Sequence, residues 1–249
     1  MRLAVLSDIH ANPIALDAVL ADVAAQGGVD EYLVLGDLVA LGYDPITVLQ
    51  RLTLLPSVGF TRGNTDRYVV TGDRPAIADP AAVIEMANSF SWTRGYITAG
   101  GWFDWLGALP LEQRRALPDG SRLLAVHAAP GTDDGPGVNP EQSDTELLQL
   151  VADSASDLVL VGHTHWPLDR TAGTVRIVNV GSVSNPWAPD LRASYALVEA
   201  GPSGWSVHLR RVDYDRQAVV DAIHAVHHPT PTFLTGWFRG ERRPSWQRG

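Results

Sequence analysis

The sequence predicts an α/β fold built on a largely parallel sheet, and three observations carry that prediction. Short apolar runs of strand length alternate with helix-length segments through the first third of the chain. Proline follows Asn12 and Asp44, which supplies a helix cap and a first-turn residue together. The apolar runs end abruptly in polar side chains, as strands of a buried parallel sheet do.

The elements follow in order. Leu3 to Leu6 is the first strand, closed by Ser7 and Asp8. After Asn12-Pro13, apolar Ile14, Leu16, Val19, Leu20 and Val23 recur at helical spacing, and Gly27-Gly28 stops the helix. Tyr32 to Leu35 is the second strand, Asp44-Pro45 opens a helix through Leu55, and Val58 to Thr61 is the third strand. This alternation implies right-handed crossovers. From Pro80 to Leu117 the pattern is helical and carries Phe90, Trp92, Trp102, Phe103 and Trp105, whose spacing suits core packing better than stacking of a nucleobase. Arg122 to Val126 returns to a strand, and a Gly-, Pro- and Asp-rich loop, including Asp133 and Asp134, runs from Pro130 to Asp144 as a solvated connection. A helix near Glu141 to Val151 leads into the strand Leu158 to Val161. Short strands follow around Val175–Val180, Tyr195–Val198 and Trp205–Val212, then a helix near Arg216–Val226. His224, His227 and His228 read as a solvated helix end before Pro229. One domain therefore spans residues 1–235, with a helical insert at about 80–118. Residues 236–249 carry Arg239, Arg242, Arg243 and Arg248 among aromatics and are expected to form a loosely ordered tail.

Composition narrows the chemistry. Among 249 residues, 45% are hydrophobic and 19% charged, enough to bury a sizeable core. Cysteine is absent, which excludes disulfides, thiolate metal sites and a thiol nucleophile. All 19 basic residues are arginine, so Schiff-base chemistry and a lysine-dependent phosphate loop are excluded too. A net charge of −9 argues against a general polyanion binder such as a nucleic-acid protein. The first apolar run stops at Asp8 and no run approaches the ~18 residues of a membrane span, so a soluble, cytoplasmic protein is expected.

Seven side chains stand out by position. Asp8 and His10 follow the first strand, Asp37 the second, Asn64 the third, His127 the next, and His163 and His165 the one after. In an open α/β sheet the ligand crevice lies outside the carboxyl ends of the strands. Glycine immediately precedes Asp37, Asn64 and His163, which lets the chain turn sharply and backbones crowd a small site. Asp8-x-His10 and His163-x-His165 are i, i+2 pairs that share a face in extended chain. Singly, an Asp after Gly is as well read as a helix cap and a strand-end His as a structural residue. Together, seven oxygen and nitrogen donors without sulfur suit two divalent ions such as Mn, Fe or Zn, typically ~3.5–4 Å apart.

Asp8-x-His10, Gly36-Asp37, Gly63-Asn64-x-Asp66, strand-end His127 and Gly162-His163-Thr164-His165, in this order, resemble the calcineurin-like metallophosphoesterase superfamily, in particular its compact bacterial and archaeal members. Leu41-Gly42-Tyr43-Asp44-Pro45, Asn179-Val180-Gly181-Ser182 and Arg192-Ala193-Ser194-Tyr195 also resemble that group. The resemblance implies a four-layer αββα sandwich, two mixed β-sheets flanked by helices, with a dinuclear centre between the sheets. It implies that Asp8, His10 and His165 hold one metal, Asn64, His127 and His163 the other, and that Asp37 bridges them. The expected activity is hydrolysis of a small phosphomonoester or phosphodiester by a metal-bridging hydroxide, with Asn64, Asp66 and Arg62 as catalytic candidates. Two ions, two carboxylates and a hydroxide leave a site charge of about +1, which attracts a phosphate within an acidic protein. One departure stands at Thr65, where many relatives carry a histidine that protonates the leaving group. A catalytically silent scaffold binding a partner protein, or a nuclease, are the alternatives the residues leave open.

Overall fold

The computed structural model describes residues 1–74 and 80–244. Its first half alternates strand and helix: β1 (Arg2–Leu6), α1 (Pro13–Ala25), β2 (Glu31–Val34), α2 (Pro45–Thr53), β3 (Val58–Phe60) and α3 (Asn64–Thr71). Asn12 caps α1 by accepting from the Ala15 N–H at 3.1 Å, and Asp44 caps α2 by accepting from Thr47 at 3.0 Å. Helices α4 (Pro80–Ala99) and α5 (Phe103–Gly107) lead to β4 (Glu112–Ala116) and β5 (Arg122–Val126). Then come α6 (Asp144–Val151), β6 (Leu158–Val161), β7 (Leu168–Ala172), β8 (Val175–Asn179), β9 (Ala193–Gly201), β10 (Gly204–Val212), α7 (Arg216–Ala225) and α8 (Pro231–Phe238).

The strands form two mixed five-stranded sheets in the orders β10-β9-β1-β2-β3 and β4-β5-β6-β8-β7. In the first, β1, β2 and β3 are parallel and β9 runs against β1; in the second, β5, β6 and β8 are parallel. Period-two alternation sorts β1 between two cores. Leu3 and Val5 join Leu123, Leu158, Leu160 and Val178 between the sheets. Ala4 and Leu6 face α1, α2 and α7 through Leu16, Leu49 and Val219 on the outer side. A third cluster, including Val126, Val159 and Leu147, seats α6 on the far face of the second sheet. The layers are helix, sheet, sheet, helix, as expected. Among the described residues no helix is long and apolar enough to cross a membrane.

Several expectations change. The helical insert is shorter: residues 112–116 form β4, antiparallel to β5, and β7 was also not anticipated. Both are edge strands, and their sequences Glu-Gln-Arg-Arg-Ala and Leu-Asp-Arg-Thr-Ala carry the charges that protect an exposed edge while erasing apolar alternation. The 141–151 helix begins at Asp144, where Ser143 and Glu146 form a capping box. The tail is ordered at its start: Gly236, Trp237 and Phe238 lie in α8 and are buried, and Arg242 donates to the Phe233 carbonyl at 2.9 Å. Arg248 lies outside the described residues. The middle aromatics pack as expected, with Phe90 buried and Trp105 edge-on to Phe60 and Trp102.

His228 is buried rather than solvated, packed on Trp92 and accepting from the Thr230 N–H at 3.1 Å. Burial pulls its pKa down to about 4, so folding favours the neutral imidazole. The stability tied to neutral His228 is complete above the unfolded value of about 6.5 and is lost as pH falls towards 4. Thermal melts of His228→Gln should lose less stability than the parent between those pH values; parallel losses would show that His228 is not the titrating group.

Candidate metal centre

The strand ends β1, β2 and β3 of one sheet and β5 and β6 of the other open at the same end of the sandwich, and all seven expected donors meet there. Ligand atoms of Asp8, His10, Asp37 and His165, all buried, lie within 4.8 Å of one another. Beside them, Asn64 Oδ1 is 3.0 Å from both His127 Nε2 and His163 Nδ1, which are 3.3 Å apart. Asp37 stands between the groups: Oδ2 is 3.8 Å from His10 Nε2 and Oδ1 is 3.5 Å from His127 Nε2.

Backbone carbonyls set the tautomers. The Nδ1–H of His10 donates to Ala40 at 2.8 Å, that of His127 to Leu35 at 2.6 Å, and that of His165 to Asn185 at 2.7 Å. Each neutral ring therefore turns an Nε2 lone pair into the site. His163 is reversed: Nε2–H donates to Gly135 at 2.8 Å and Nδ1 faces inward. As a result His10 Nε2 and His165 Nε2 face each other at 3.1 Å, and the buried Oδ1 of Asp8 lies 3.1 Å from the same His165 Nε2. Converging lone pairs and a buried carboxylate oxygen repel one another unless a proton or a cation lies among them. The residues fit a divalent metal.

Protonation responds to the same crowding. Burial disfavours the His127 cation, yet the carboxylates of Asp37 and Asp8 outweigh it and raise His127 to about 10. For His165 burial is likewise overcome by Asp8 and the pKa rises, whereas burial dominates at His10 and lowers it to about 4. Burial would raise Asp8 and Asp37, but His165 beside the first and His127 beside the second pull both below the usual carboxylate range.

The backbone is bent to make this possible. Asp8, His10, Asp37, His163 and His165 all have φ between +48° and +67°. Left-handed backbone at a non-glycine residue costs on the order of 1 kcal/mol. Cross-links hold it: the Asp8 N–H donates to Gly36 O at 3.1 Å, His10 N–H to Asp37 O at 2.9 Å, and His163 N–H to Asp8 Oδ2 at 2.9 Å. Ser182 Oγ donates to Asp8 O at 2.9 Å. Glycine is required where the loops touch: a Cβ on Gly63 would lie 2.1 Å from Asp37 Oδ1, and one on Gly162 would lie 1.9 Å from Ser7 Oγ. Gly63→Ala should cost about 1–3 kcal/mol by overpacking and displace Asp37, read as a lower melting temperature with weakened metal uptake; unchanged uptake would contradict the packing.

Two catalytic candidates are engaged by neighbouring protein groups. Asp66 is 0% exposed, with Oδ1 accepting from the Leu38 N–H at 2.9 Å and Oδ2 from the Gly63 N–H at 3.0 Å. It ties the Asp37 loop to the Asn64 loop and positions both. Burial and the nearby Asp37 raise its pKa to about 7. Arg62 Nε donates to Asp133 Oδ2 at 2.6 Å, so its guanidinium is held in an ion pair. Arg67 also grips Asp133 and Asp134, and Tyr68 donates to Asp134. The 130–144 loop is thus anchored over the site, and Asp133 is buried rather than solvated.

A cleft of about 670 Å³ opens onto the cluster, lined by His10, Asp37, Asn64, Thr65, His163 and His165. Leu41, Met86, Trp187 and Trp237 line it as well. Thr65 Oγ1 is buried there without a hydrogen-bond partner. Sequence reasoning singled out neither tryptophan; the only local signal was that Trp187 follows the Asn179–Ser182 segment, whose Ser182 supports Asp8.

This arrangement of fold and donors defines a metallophosphoesterase-type protein. Residues 1–201 match the model of the calcineurin-like phosphoesterase superfamily domain, and the chain belongs to that superfamily. It is 27% identical over 241 residues to an uncharacterised protein of Methanocaldococcus jannaschii, covering 89% of this chain and 91% of that one. Its fold is similar to the crystal structure of a hypothetical protein from Pyrococcus horikoshii (TM-score 0.78, 22% identity, 94% of this chain and 97% of that one). It is also similar to the structure of a metallophosphoesterase from Sphaerobacter thermophilus (TM-score 0.76, 24% identity, 97% and 99%).

Proposed function

We propose that the protein is a two-metal hydrolase of phosphate esters, with the first ion held by Asp8, His10 and His165 and the second by Asn64, His127 and His163. The observation that carries this reading is the place of Asp37, whose two oxygens face one donor group each. When bound, such ions neutralise phosphate oxygens and lower the pKa of bound water from 15.7 towards about 7. The chain's own residues do the rest. Asp37 screens the repulsion between the two sites and fixes their separation. Neutral Asn64 leaves the site with residual positive charge, which an aspartate there would cancel. Thr65 offers a neutral hydroxyl to the substrate at the cleft wall, and no acidic proton.

Metal analysis together with turnover of an aryl phosphate and a bis-aryl phosphodiester tests the reading. Two divalent ions per chain and hydrolysis of at least one ester are expected. Failure to hydrolyse either with Mn, Fe or Zn would favour a silent scaffold. Because Thr65 cannot protonate a departing alkoxide, rates across a series of esters should fall steeply as the leaving-group pKa rises. A flat series, with chemistry rate-limiting, would point to an acid elsewhere in the cleft.

A further inference from the structure

The metal end of the cleft accounts for the polar residues but not for the indoles beside it. Trp187 and Trp237 lie with ring centroids 4.2 Å apart at 49°, and both adjoin His165, at 6.2 Å and 5.5 Å. Trp187 is pinned, its Nε1–H donating to Thr164 O at 2.7 Å. Trp237 is 8% exposed, lines the cleft, and its buried Nε1–H has no acceptor. A buried donor left unpaired is costly, and a ligand acceptor that reaches it through a small rotation of the ring removes the cost. Neither indole hydrogen-bonds His165, whose Nδ1–H is satisfied by Asn185. Trp237 comes from α8, beyond residue 201 where the family match ends. Leu41 and Met86 add apolar surface to the cleft, and Asn139 and Glu141 add polar groups.

We propose that Trp187 and Trp237 form a subsite for the alcohol part of the substrate, selecting phosphate esters that carry a planar aromatic ring, best a heteroaromatic one with a hydrogen-bond acceptor for the Trp237 N–H. The ring packs on the indole pair while the phosphate lies at the metal end; the position of the phosphate rests on the hydrolytic reading above. Cleft volume agrees, since about 670 Å³ holds a phosphate and a one- or two-ring group together. Aromatic stacking discriminates by about tenfold or more per ring.

Phosphonates test this without turnover, because their C–P bond is not cleaved. Ethyl-, benzyl- and pyridylmethylphosphonate would be titrated calorimetrically into the manganese-loaded full chain. Benzylphosphonate is expected to bind about tenfold or more tightly than ethylphosphonate, and pyridylmethylphosphonate more tightly again. Trp187→Leu should bring the benzyl-to-ethyl ratio close to one, and Trp237→Phe should remove the extra gain of the pyridyl ring. Fluorine NMR of wild-type protein labelled with 5-fluorotryptophan gives a readout that survives a misfolded variant: the Trp187 and Trp237 lines should move with benzylphosphonate and stay with ethylphosphonate. Equal affinities, no binding of any phosphonate, unmoved lines, or a ratio that persists in folded Trp187→Leu would overturn the proposal. A preserved ratio in a protein that hydrolyses no ester would retain the subsite and remove the hydrolytic reading; turnover without the ratio would do the reverse.

Discussion

Asp37→Asn is expected to reduce ester turnover by roughly 10²–10³-fold or more, the scale of losing one charge-stabilising group at a reacting phosphate. The substitution is close to isosteric, and its remaining oxygen can still accept from the Thr65 N–H, which now donates to Oδ1 at 2.9 Å. The loop should therefore keep its shape. What disappears is the negative charge facing His10 on one side and His127 on the other. Without it, two ions in adjacent sites repel unscreened. Metal content should fall below two per chain while circular dichroism stays that of the parent. An Asp37→Asn protein with two tightly held ions and parental turnover would contradict the bridging role. Asp66→Asn makes a useful contrast: it leaves the donors in place but gives the Gly63 or Leu38 amide a poorer partner. Its defect should appear in melting temperature before it appears in catalysis.

Removing metal should lower the melting temperature by about 10 °C or more. A ligand at a hundred times its Kd contributes about 2.7 kcal/mol, two sites roughly twice that, and each kcal/mol moves the midpoint of a chain this size by about 2–4 °C. The left-handed backbone of Asp8, His10, Asp37, His163 and His165 adds to the effect, because that geometry is useful only when the donors it gathers have something to hold. The uptake should also depend on pH in a definite sense. Asp37 and Asp8 hold a proton on His127 up to about pH 10, and Asp8 favours one on His165. An entering cation must displace these protons, so affinity should rise with pH through the neutral range towards 10. Calorimetry in buffers of different ionisation enthalpy measures the protons released. No release, or a chelated protein that melts with the loaded one, would show that the cluster holds no metal.

The early elements were readable because their signals are local. Asn12 and Asp44 cap the helices that their prolines suggested, and β1, β2 and β3 fall on the apolar runs. The strands that escaped notice, β4 and β7, are charged edges, where protection against mispairing masks the period of two. Helix α8 escaped because Pro231, Gly236 and a cluster of aromatics resemble a tail until Phe233, Leu234 and Phe238 are seen filling the outer core.

For the centre itself, the chain alone dictated which donors exist and that each follows a buried strand, since residue type and the end of an apolar run are both properties of adjacent positions. Three-dimensional packing decided the remainder. It chose which donors share a pocket, because Asp37 and His127 belong to different sheets and meet only when the sheets stack. It chose the ring nitrogen each histidine turns inward, through carbonyls of Ala40, Leu35, Gly135 and Asn185 that lie far from their partners in sequence. It also set Asp66 against the Gly63 amide and Arg62 against Asp133 and brought Trp237 into the cleft, because their side chains answer to neighbours that no local pattern records.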